Sequence, residues 1–170
     1  MNETNGHVIE ISGPDKGMLK FVWEKMRSGV ELTGGEIFVG RAMAEHPLWF
    51  PIFETLGILG GTDELDDGTN PFLHLTFHIM LGGQIFNGQP AEAQRFYQSR
   101  IRRGEDSHDV IHMLIFLFQR QLALTAKSGL TMNEFDWPTY RKTIMQLIKV
   151  SPAKFWSTFS LDGPPDFHPN

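Results

Sequence analysis

The sequence predicts an all-α fold, a helical bundle of about six to seven helices around a histidine-lined core. Three observations predict it. Apolar residues recur at three- and four-residue spacing along most of the chain. No segment alternates apolar and polar residues as a half-buried strand does. Gly, Pro, Asn-Gly and Ser-Gly steps cut the chain into segments of helical length. A chain of 170 residues that is 41% hydrophobic can build the core of one domain, so a single helical domain over residues 1–170 is expected, with flexible tails at about 1–12 and 162–170.

Ser12 to Pro14 reads as the first helix start, and Met18, Leu19, Val22, Trp23 and Met26 carry an apolar stripe to the Ser28-Gly29 stop. Thr33-Gly-Gly-Glu36 has the form of a capping box. The helix behind it runs to Glu45, where His46-Pro47 interrupts it, because the residue before a proline is steered out of the helical region. A short helical segment is expected from Leu48 to Leu56, then a surface loop from Gly57 to Thr69, rich in Gly, Asp and Thr. Asn70-Pro71 supplies an N-cap and a first-turn proline for a helix to about Phe86.

Pro90 to Arg103 reads as an amphipathic helix with Ala93, Phe96, Tyr97 and Ile101 inward and Arg95, Arg100, Arg102 and Arg103 outward. Asp106 or Ser107 caps the next helix, which runs through the apolar stretch Met113 to Phe118 to about Lys127 and forms the predicted centre of the core. Trp137 to Val150 makes a further helix, and Ser151-Pro152 starts a last short one.

Composition excludes several classes of function. With 15 Lys and Arg against 20 Asp and Glu, the net charge of -5 does not make a phosphate-binding surface, so no nucleic-acid partner is expected. The opening MNETNGHVIEIS lacks the basic and apolar regions of a signal peptide, and no apolar run reaches bilayer length. With no cysteine either, the expected location is the cytoplasm, with no membrane partner. Gly34-Gly35 and Gly82-Gly83 lack the spacing of a phosphate loop, and no nucleophile-elbow sequence occurs.

The absence of cysteine means that any metal must be held by imidazole and carboxylate, and the histidines are grouped. His74/His78 and His108/His112 are each four residues apart in helical segments. Residues so spaced are offset by about 40° with Cβ atoms about 6 Å apart, so both imidazoles of a pair can face one ion. Both pairs fall in the first turns of their helices, where the positive helix end keeps imidazole neutral, the form that ligates. His46, at the end of its helix, is the fifth candidate.

Among carboxylates, Glu105 forms a Glu-x-x-His pair with His108, as in di-iron bundles. Glu36 would stand about 15 Å from His46 along a straight helix, so it could contribute only through a bend at Gly40 or at a second metal position. Asp109, Glu45 and Glu54 are weaker candidates. The competing reading is that the histidines are core residues, each satisfied by ordinary hydrogen bonds, and that Glu36 and Glu105 serve helix termini.

The segment NPFLHLTFH, with Gln84 downstream, resembles the hallmark segment of the bacterial domain-of-unknown-function family 1841. The resemblance spans about Phe21 to Val150 and takes in Leu32 to Glu36, His46-Pro47 and the acidic stretch that ends in His108 and His112. The family pattern that it implies carries an acidic residue and a second histidine after His-Pro, where this chain has Leu48 and Phe50. That departure removes two donors from any second metal position. The resemblance implies which residues matter and brings no activity with it.

The reading that follows is a non-haem metal-binding helical bundle, with iron as the expected cofactor and zinc or manganese as alternatives, mononuclear or dinuclear. Open coordination positions would bind dioxygen or another small molecule, as in an oxygen-binding protein or an oxidase, or activate water for hydrolysis; whether the site is that of an enzyme is left open. The alternative is a non-enzymatic protein-interaction domain with structural histidines.

Overall fold

In the computed structural model, which describes residues 14–56 and 70–159, every regular element is helical. The expected loop over 57–69, both tails and the expected start at Ser12 lie outside the described residues. The rest divides into two compact units, residues up to 83 and residues from 84 onward.

The first unit opens with α1 (Lys16–Arg27), capped by the Asp15 carboxylate, which accepts from the Gly17 amide at 2.9 Å. Helix α2 (Glu36–Ala44) follows. The capping box expected before it forms on one side only: the Glu36 carboxylate accepts from the Thr33 amide at 2.8 Å, while the helix itself starts at Glu36. A 3-10 turn (Pro47–Trp49) leads into α3 (Phe50–Glu54), so the single segment expected here is two pieces. Two prolines, Pro47 and Pro51, each at the start of a piece, account for the division. Leu19, Val22, Trp23, Val39, Met43 and Phe53 form the centre of the core, joined by Phe72 and Leu75 from α4 (Pro71–Asn87). Asn70 caps α4 as expected, its side chain accepting from the Leu73 amide at 2.9 Å, and Gly88, at φ 63°, ends it.

The second unit holds α5 (Ala91–Ile101), α6 (Ser107–Lys127), a 3-10 turn (Met132–Glu134), α7 (Trp137–Leu147) and α8 (Pro152–Phe159). Helix α6 is buried on most sides, with Val110, Ile111 and every residue from Met113 to Phe118 inside, which makes it the central helix that its apolar run predicts. Helices α5 and α7 pack against it and against each other. Phe96 of α5, Tyr140 and Ile144 of α7 and Phe155 of α8 complete this core. Burial among aromatic rings raises the pKa of the Tyr140 hydroxyl. On the surface, the Arg141 guanidinium grips Glu92 with two bonds of 2.9 Å and holds that carboxyl below its ordinary pKa.

Arg100 overturns one expectation. It is wholly buried rather than outward, since it stands four residues after Phe96 and seven after Ala93, on the inward stripe of α5. Its charge is met by Glu105 at 2.6 Å and its second nitrogen donates to the Leu147 and Val150 carbonyls at 3.0 and 2.8 Å.

The start of α6 rests on Asp106, whose carboxylate accepts from the His108 and Asp109 amides at 2.8 and 3.1 Å. Asp106→Ala is expected to lower stability by about 1 kcal/mol in a urea titration. An unchanged midpoint would show that other groups hold this helix end.

Candidate metal centre

His46 owes its position to the break that the sequence places there. Its backbone leaves the helical region ahead of Pro47, and its carbonyl accepts from the Trp49 amide at 3.0 Å to close the 3-10 turn. Its side chain turns back along α2. There Nδ1 lies 2.6 Å from the Ala42 carbonyl oxygen. A carbonyl can only accept, so Nδ1 carries the proton and, in the neutral ring, Nε2 presents a lone pair.

That lone pair meets two more imidazoles. His74 and His78 stand one turn apart on α4, with His78 buried and His74 half-buried. His74 Nε2 is 2.9 Å from His46 Nε2 and 2.9 Å from His78 Nε2. Three neutral rings cannot make good hydrogen bonds of both contacts. With His46 Nε2 unprotonated, the first contact needs the proton of His74 Nε2 directed at His46, and that nitrogen then has neither a proton nor a lone pair left for His78. Three nitrogens converging in this way fit the donor set of a cation at their common focus.

His108 and His112 stand one turn apart near the start of α6, half-buried, with ring centroids 4.2 Å apart. The ligand nitrogens of His46, His74, His78, His108 and His112 all lie within 4.8 Å of one another, a cluster that could hold a metal ion. The two pairs singled out by spacing, and His46 by its place at a helix end, are therefore the five that the structure groups.

The carboxylates are placed differently. Glu36 takes Lys25 Nζ at 2.6 Å together with the Thr33 amide, which holds its carboxyl below the ordinary value. Glu105 is gripped by Arg100 and Arg103. Neither belongs to the histidine cluster. Glu54 pairs with Arg27. Glu45 lies beside the cluster, with Oε2 3.8 Å from His78 Nδ1 and Oε1 accepting from Arg41 at 2.9 Å.

Trp49 is not among the site residues that the sequence points to, yet its ring lies on His46, with centroids 4.5 Å apart and planes within 8°, and meets His74 edge-on at 5.1 Å. The available signal was its place three residues after His46, one 3-10 turn away. Leu48, at 70% exposure, projects elsewhere, and Phe50 packs on Trp23.

A family model described as Domain of unknown function (DUF1841) matches residues 16–144. The chain belongs to this family. The DUF1841 match takes in all five clustered histidines, Trp49, Glu36 and Glu105. No curated protein matches the chain, and no solved structure does. Among the described residues, no helix is long and apolar enough to cross a membrane.

Proposed function

We propose that the chain holds one non-haem metal ion, iron first, on His46, His74, His78, His108 and His112, and that the position the five imidazoles leave open binds a small ligand such as dioxygen. The observation that carries this reading is the pair of 2.9 Å contacts made by His74 Nε2. With metal–nitrogen bonds of about 2.0–2.1 Å, neighbouring ligands at right angles stand about 2.9 Å apart and tetrahedral ones about 3.4 Å. Opposite ligands stand about 4.2 Å apart, close to the 4.8 Å that bounds the cluster.

These edges favour six-coordination over the tetrahedral geometry of structural zinc. Manganese prefers oxygen donors, whereas imidazole suits iron. Five neutral ligands do nothing to offset added positive charge, so the shell favours the reduced ion. A second ion would need carboxylates, and Glu36 and Glu105 are already held by cations, which supports a mononuclear site.

The chain's own groups set up the site. The Ala42 carbonyl fixes the His46 tautomer and makes its Nε2 more basic, and Trp49 covers one face of that ring. The ion would supply a Lewis-acidic, redox-active position for the exchangeable ligand.

Chain purified without a histidine tag is expected to carry close to one metal per molecule by elemental analysis. Cobalt-loaded chain should show the weak visible bands of a six-coordinate ion, altered on adding azide. Intense tetrahedral bands would overturn the geometry. Absence of any metal affinity would return the histidines to a structural role in an interaction domain, and a Soret band would mean haem.

A further inference from the structure

We infer that Trp49 is a site of metal-directed oxidative modification, the first tryptophan to be oxidised when the iron-loaded chain meets hydrogen peroxide. This inference rests on the proposed iron centre. Its physical basis is local. Indole is the most electron-rich ring available to an oxidant in contact with a nitrogen-ligated ion, and Trp49 touches two of the ligand rings, flat on His46 and edge-on to His74.

The remaining tryptophans supply the contrast. Trp23 packs on Phe50 and Phe53, Trp137 on Phe135 and Tyr140, and Trp156 on Phe116 and Phe155. Trp137 is also the most exposed of the four, at 39%, while Trp49 is half-buried. An oxidant arriving from solvent would reach Trp137 first; one generated at the histidine cluster would reach Trp49 first.

The step balances as oxygen insertion. An indole C–H bond and the peroxide O–O bond break, a C–O bond and an O–H bond form, and water leaves. The indole loses two electrons, the peroxide gains two, and the iron ends in the oxidation state in which it began.

The test treats full-length chain, loaded with iron(II) and checked for one iron per molecule, with stoichiometric peroxide, and maps one-oxygen mass gains by peptide mass spectrometry. Trp49 is expected to gain oxygen about tenfold or more ahead of Trp137, because proximity and not exposure sets the rate. Zinc-loaded chain and iron-treated His78→Ala should lose the preference. Methionine oxidation, which needs no metal, gauges equal peroxide exposure across samples. Equal oxidation of Trp49 and Trp137, or oxygen gained on His46 and His74 in place of Trp49, at full iron occupancy would overturn this inference and leave the centre standing. A chain that binds no iron would overturn both.

Discussion

His78→Ala is expected to abolish stoichiometric metal binding while leaving a folded helical chain. His78 is buried at 3% exposure, and its Nε2 is one of the three that converge. Partners that merely orient a ligand are each worth about 10–100-fold in metal affinity, so losing the ligand itself should cost at least that much. His112→Ala should act in the same direction, because no cysteine can take its place.

Stability separates this from a core role. Metal at a thousandfold excess over its dissociation constant should stabilise the wild-type chain by about 4 kcal/mol. That increment should vanish from both variants and from wild type stripped by a chelator. If the histidines only filled the core, each variant would lose about 1–3 kcal/mol whether or not metal was present. Metal content and melting with and without chelator, measured side by side, decide the matter. Full occupancy with a lowered melting temperature would remove these residues from the site. Acid should act like the chelator, since a protonated imidazole cannot ligate and the metal-derived stability falls as pH is lowered.

The helices were legible where local chemistry decides them. Asn70 and Asp106 cap the helices that their side chains suggest, and the run from Met113 to Phe118 is buried as its composition requires. The histidine pairs were legible for the same reason, since four-residue spacing on a helix dictates a shared face. The fates of Glu36 and Glu105 were not. Their partners, Lys25 and Arg100, lie on preceding helices, and local spacing does not say which cation a carboxylate will meet. Arg100 departs from its expected outward place because register outweighs residue type there: a cation on an apolar stripe goes inside when the fold supplies a carboxylate and carbonyl acceptors. Trp49 was hidden in a 3-10 turn, where residues three apart eclipse instead of following the α-helical stagger.

Arg100→Met is expected to be among the most damaging single substitutions in the chain, at about 3–5 kcal/mol. The guanidinium is wholly buried, pairs with Glu105 at 2.6 Å, donates to one carbonyl at the end of α7 and one beyond it, and lies 4.4 Å from the centre of the Phe96 ring. Methionine can fill much of the volume but supplies none of the donors. It would leave Glu105, whose side chain is 13% exposed, with Arg103 alone. For a domain of this size the loss corresponds to a melting temperature lower by about 6–20 °C.

Arg100→Met with Glu105→Gln should recover part of the loss, because it also removes the stranded negative charge; the single and double variants form one side of a double-mutant cycle. A cost below about 1 kcal/mol for Arg100→Met alone would match an exposed pair and return Arg100 to the outer face of α5. Glu105 lies just before the Asp106 cap and two residues before α6 begins, so the clamp also fixes where the helix bearing His108 and His112 starts. The folded fraction of the single variant, held below its melting temperature, should therefore bind metal more weakly than wild type, while the double variant regains stability without regaining that affinity.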